Sequence, residues 1–130
     1  MSEKNTSVVD ANAIVALLLG GDRADSERAR AFFEPVREGS SQAFIPAAVL
    51  AECVYVLTRV YKATRADAAS RLLALLDYRG VSTESEASRR ALELYRDRNV
   101  DFVDALVVAI ARERSSQIFS SDRDLERLMK

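Results

Sequence analysis

A chain of 130 residues is the size of one domain, and its 48% apolar content can build one substantial core, which excludes intrinsic disorder. Its 19 basic and 20 acidic side chains leave a net charge of −1, which excludes a binder that holds phosphate by bulk positive charge. There is no histidine and a single cysteine, Cys53, so His-based triads, His general bases, His- or Cys-rich zinc sites and an internal disulfide are all excluded.

In chain order, Thr6-Ser7-Val8-Val9 reads as a short β-branched strand ending at Asp10, followed by a helix over Asn12–Leu19 that stops at Gly20-Gly21. That helix is apolar nearly all round and so is expected to be buried. Asp25–Phe33 reads as a second helix with Pro35 just beyond its end. Gln42–Ile45 is a strand, and Pro46 suits the start of a helix running to about Tyr61, with Leu50, Val54, Leu57 and Tyr61 at helical spacing. Thr64 and Asp67 resemble a capping box for a helix through Leu76. Gly80-Val81-Ser82 is a minimal strand, and Thr83–Glu86 a second capping box, opening a helix through Tyr95 that Asn99 can close. Asp101 is expected to cap the apolar helix Phe102–Ala111; Gln117–Ser120 reads as a strand, Ser121-Asp122 as a turn and Asp124–Met129 as a final helical segment. Short strands alternating with longer helices predict an α/β fold in one domain (residues 1–130) with a mostly parallel central sheet. In such sheets ligands bind at the carboxyl ends of the strands.

The acids then stand out. Asp10 ends the first strand and Asp122 follows the last, while Glu52 and Asp104 sit in largely apolar helical surroundings. Each has an ordinary reading as well: a turn or cap for Asp10 and Asp122, a wet helix stripe for Glu52, and a first-turn dipole partner for Asp104. Carboxylates that converge cannot all stay ionised without a counter-charge, and a divalent cation with oxygen ligands supplies one. Such a site suits phosphodiester hydrolysis. Cys53, in an apolar run with no partner base, reads as a small buried hydrophobe.

At these residues the chain resembles the PIN-domain family, specifically the VapC-type toxins of type II toxin–antitoxin pairs. The matching segments are Val8–Asn12, Ala51-Glu52, Asp101–Leu106 and Phe119–Leu125, in the family's order along nearly the whole chain. The resemblance implies a three-layer α/β/α sandwich and a Mg²⁺- or Mn²⁺-dependent endoribonuclease of tRNA or rRNA, with Asp10, Glu52, Asp104 and Asp122 as the catalytic and metal-binding acids. It implies that Asn12 orients Asp10, and that Ser120 occupies a position usually held by Thr or Ser. Asp101 is assigned to capping first and to the metal second. The implied partners are a cognate VapB-type antitoxin, whose arginine can enter the acidic cluster, and a second copy in a homodimer. Tyr55 and Tyr61 are candidates for the dimer contact, with core packing as their first reading.

Only Lys4, Lys62 and Lys130 are lysines; the other basic residues are Arg, which suits bidentate phosphate contacts and stacking on unpaired bases. Arg112 and Arg123 are the substrate-contact candidates. The opening residues show no signal-peptide pattern and no apolar run is long enough for a bilayer, so a cytoplasmic protein without a membrane role is expected. An RNA-processing nuclease that is not a toxin and a catalytically silent RNA- or protein-binding domain stay open as alternatives. A phosphoacceptor receiver domain lacks its late lysine here.

Overall fold

The computed structural model describes residues 6–129; the opening segment read above, Met1–Asn5, lies outside them. Three short strands, β1 (Thr6–Val8), β2 (Gln42–Phe44) and β3 (Val81–Ser82), form a parallel sheet in the order β1-β2-β3. Thr6 pairs with Gln42 and Val8 with Phe44, while Ala43 and Phe44 pair with Val81 and Ser82 on the other side. Parallel neighbours require crossovers, and helices supply them: α1 (Ala11–Leu19) and α2 (Ala24–Glu38) between β1 and β2, α3 (Ala47–Tyr55) and α4 (Arg65–Leu76) between β2 and β3. Helices α5 (Ala87–Asp97), α6 (Phe102–Glu113) and α7 (Arg123–Leu128) complete the chain. The central strand is the driest: Ala43, and Ile45 just beyond the strand, are fully buried in the core that Ile14, Phe33, Leu50, Leu72 and Leu92 share. The α/β architecture with a parallel sheet flanked by helices is therefore as the strand–helix alternation predicts.

Five local readings are corrected. Helix α2 does not stop before Pro35 but runs through it to Glu38. Proline removes one helical donor, but Ala31, four residues earlier, is exposed, so water can satisfy its carbonyl. Continuing the helix buries Phe33 and Val36, and Gly39 at φ 94° ends it by donating to Pro35 O and Val36 O. Second, the helix after Pro46 is not uniform: α3 passes into a π-helical turn over Val56–Val60, in which Tyr61 N–H donates to Val56 O. Thr58 Oγ1 donates back to Val54 O at 2.7 Å, a bond that loosens the ordinary ladder. The wider turn shifts Tyr61 off the stripe made by Leu50, Val54 and Leu57. Tyr61 and Tyr55 are 45% and 62% exposed, so neither packs in the core.

Third, Thr83–Glu86 is not a capping box. Thr83 Oγ1 donates to Ser85 O, Ser85 Oγ accepts from Ala87 N–H, and Glu84 reaches across to accept from Ala47 N–H at 2.8 Å. Glu84 thus caps α3, whose own N-cap, Pro46, has no side-chain acceptor. Fourth, α5 ends at Asp97, and Arg98 N–H, rather than Asn99, closes it on Leu94 O. Fifth, Gln117–Ser120 is not a strand: it joins no ladder, and Phe119 is fully exposed. Strand propensity reports how well a side chain fits a half-buried pleated surface, and this segment has no neighbouring strand to provide one.

Tight contacts fix the crossovers. Fully buried Ser26 lies within hydrogen-bond reach of Ala16 O (2.9 Å) and Gly20 O (3.0 Å), serving the carbonyls at the end of α1. Gly80, just before β3, donates to Val36 O and accepts from Ala43 N–H, both at 2.8 Å. A Cβ there would lie 2.0 Å from Ser41 O and 2.8 Å from Val36 O, both rigid backbone atoms. Gly80→Ala is therefore expected to destabilise the fold by about 3 kcal/mol through overpacking, read as a lowered denaturation midpoint.

Candidate active site

The residues singled out by the sequence fall into two neighbourhoods. Asp10 leaves β1 in an extended conformation (φ −94°, ψ 172°) and caps α1, its Oδ1 accepting from Ala13 N–H at 3.0 Å. That bond orients the carboxylate; Asn12 is exposed and makes no side-chain hydrogen bond to Asp10 among the described residues. Glu52 is exposed on α3, which packs against both α1 and α6. Both carboxylates act electrostatically on buried Cys53. Burial pushes that thiol up to about 12, and like-charge repulsion from Glu52 and then Asp10 adds to the shift. Cys53 is thus a protonated core residue, as its apolar surroundings suggest.

The second neighbourhood is an open groove of about 440 Å³ between the start of α6 and the start of α7. Asp101, Asp104, Asp122 and Asp124 line it together with Arg65. Asp104 is half-buried in the first turn of α6, and its carboxyl lies above the usual carboxylate range, first because it is desolvated and then because Asp101 and Asp122 repel its charge. Asp101 occupies the N-cap position, but its side chain makes no capping bond; its carbonyl starts the helix by accepting from Ala105 N–H at 2.9 Å. The capping role first given to that side chain is therefore wrong. The carboxylate is left to the groove.

Asp122 is held by a compact loop. Ser120 Oγ accepts from Asp122 N–H, and Asp122 Oδ1 accepts from Asp124 N–H, both at 2.9 Å, which makes Asp122 the cap of α7. The turn forms without the preceding strand that the sequence suggested. Of the substrate-contact candidates, Arg123 opens α7 beside the groove, whereas Arg112 donates to Leu128 O and lines a separate cleft between α5 and α6.

None of the ion pairs among the described residues involves Asp10, Glu52, Asp101, Asp104 or Asp122. Asp10 and Asp122 accept backbone N–H groups, and none of the five acids is neutralised by an ion pair among the described residues. Oxygen-only donors of this kind fit a hard divalent ion chemically. Among the described residues, however, no three acids stand close enough to ligate one ion directly, and Asp10 and Glu52 do not line the Asp104 groove. Mg²⁺ dehydrates reluctantly and is commonly held through one or two carboxylates with water completing its shell, which suits a spacing this open.

A model of the PIN domain matches residues 7–130, and the chain belongs to that family. PIN domains are generally nucleases that act on nucleic acid with divalent metal ions. No curated protein matches the chain. No helix among the described residues is long and apolar enough to cross a membrane.

Two residues of consequence escaped the sequence reading. Glu84 is a long-range cap whose partner lies 37 positions away, so local pattern does not reveal it. Arg65 carried a signal: a cation in the first turn of a helix opposes the helix dipole, which suggests that it serves something outside its own helix.

Proposed function

We propose that the protein is a Mg²⁺- or Mn²⁺-dependent endoribonuclease, acting as the VapC-type toxin of a type II toxin–antitoxin pair on tRNA or rRNA. The observation that carries this reading is a groove of uncompensated carboxylates, Asp101, Asp104 and Asp122, in a chain of the PIN family. Asp104 and Asp122 hold the ion, and Asp10 and Glu52 complete the acidic surface as the substrate closes over it. A divalent cation bound there supplies a water acidic enough to act as nucleophile at neutral pH and stabilises charge developing on the phosphate. Asp122 keeps its orientation through Ser120, and Asp101 adds negative charge that draws a cation to the groove. Arg123 lies where a phosphate of the RNA backbone can be gripped. The exposed Tyr55 belongs to the homodimer contact, and the VapB-type antitoxin inhibits by placing an arginine among the groove carboxylates.

Purified protein is expected to cleave tRNA or rRNA in Mg²⁺ or Mn²⁺ and to stop in excess chelator. Cleavage that persists in chelator would overturn the metal-dependent reading. Induction in cells is expected to arrest growth, and co-expression of the cognate antitoxin to restore it; unaffected growth favours the RNA-processing nuclease instead.

A further inference from the structure

Among the described residues, Arg65 is the cation that lines the acidic groove, and it is paired with none of the groove's acids. Arg65 is half-buried at the first position of α4, and its Nη1 donates to Tyr95 O at 3.0 Å and to Val100 O. Its guanidinium lies 4.1 Å from the centroid of the Tyr95 ring, and Tyr95 in turn packs edge-to-face on Phe102 at 6.3 Å. Tyr95 O is one of the last carbonyls of α5, left without a helical donor, while Val100 immediately precedes Asp101. One planar cation therefore ties the end of α5 to the entry of α6 and fixes the turn between them from a third helix. It favours the negative end of the α5 dipole at the same time.

We infer that Arg65 is a positioning residue, which sets Asp101 and Asp104 by clamping residues 95–101 and leaves both carboxylates uncompensated. The inference rests on the metal-dependent reading above. An arginine turned toward the acids would neutralise them and compete with a cation. Here its charge is directed to two carbonyls and an aromatic face, and none of the ion pairs among the described residues joins it to Asp101, Asp104 or Asp122. Both carbonyl bonds come from the single nitrogen Nη1, which a lysine ammonium can imitate, but lysine lacks the planar group that lies over the Tyr95 ring.

The test compares the parent protein with Arg65→Gln, Arg65→Lys and a control, Arg71→Gln, whose arginine is on the same helix but bonds Asp67 and Leu18 O instead. Mn²⁺ affinity is measured by calorimetry and amide exchange at residues 98–104 by mass spectrometry. Arg65→Gln is expected to weaken Mn²⁺ about 10- to 100-fold, as loss of an outer-shell partner does, and to speed exchange in that segment. Arg65→Lys is expected to fall between the two, and remains the informative variant if Arg65→Gln does not fold. Arg71→Gln is expected to match the parent in both readouts. Parental Mn²⁺ affinity in a folded Arg65 variant, or an equal loss in Arg71→Gln, overturns the positioning role. If the parent itself binds no Mn²⁺, the metal-dependent reading fails, and exchange then decides whether Arg65 clamps the turn: faster exchange supports it and unchanged exchange overturns it.

Discussion

Asp104→Asn is expected to lose metal-dependent RNA cleavage by more than about 100-fold while melting at a higher temperature than the parent in chelator. The first effect exceeds the loss caused by outer-shell partners, because the carboxylate itself is the proposed ligand. The second follows from its surroundings: desolvation, Asp101 and Asp122 all raise the Asp104 pKa, so the folded state disfavours its charged form. A raised carboxyl pKa means that ionised Asp104 destabilises the metal-free fold above its folded pKa. That penalty is relieved as the pH falls through the folded pKa and is gone below the ordinary 3.8, where both states are protonated. The stability advantage of Asp104→Asn should therefore be full at neutral pH and close on acidification. Added Mn²⁺ should raise the melting temperature of the parent and leave that of the variant where it was. A variant less stable than the parent in chelator would mean that Asp104 is paired in a way the groove does not show. The combination, a more stable protein with no activity, is the pattern of a site whose electrostatic strain serves function.

What was legible in the sequence follows from the range of the interactions involved. The strands at Thr6 and Gln42, the helix after Asp10 and the Thr64 cap depend on near neighbours, and Thr64 does accept from Asp67 N–H as its spacing suggests; α1 is buried only along Ala11, Ile14, Val15 and Ala16, not on every face. Pro35 misled because its cost is local and fixed, whereas the burial of Phe33 and Val36 that offsets it depends on the rest of the fold. Tyr61 misled because a stripe at period 3.6 assumes that every turn is α-helical, and one hydroxyl at Thr58 accompanies a turn that is not. Gln117–Ser120 shows the same limit for strands: residue type describes compatibility with a ladder, but only another strand completes it.

The candidate site divides along the same line. Asp104 and Asp122 were picked out by charge in apolar surroundings and by position after a β-rich segment, and the fold brings both to one groove. Asp101 was underrated because an aspartate before a helix is most often a cap, and nothing local reveals that its carboxylate makes no capping bond. Arg65 contacts carbonyls 30 and 35 residues away, so only the assembled helices show what it holds. Sequence reasoning found the charges that do the chemistry more readily than the contacts that place them.

Asp10 offers a second test, because its structural and chemical roles separate on substitution. Its Oδ1 caps α1 through Ala13 N–H, and asparagine caps as well as aspartate while losing the negative charge. Asp10→Asn is therefore expected to retain the parent's stability and to lose cleavage by about 100-fold or more, on the same scale as Asp104→Asn. Asp10→Ala removes cap and charge together, and is expected to cost about 1 kcal/mol of stability in addition to the activity. Thermal melts and initial cleavage rates on one RNA, measured for all three proteins, distinguish the roles. If Asp10→Asn cleaves at the parental rate, the aspartate is only a helix cap, and the acidic surface that handles RNA is confined to the Asp101–Asp104–Asp122 groove. If Asp10→Asn is inactive yet melts like the parent, the Asp10 carboxylate acts in the same reaction as a groove that it does not line in this structure. The RNA-bound state would then draw the two neighbourhoods together across α3, the helix that packs on both α1 and α6.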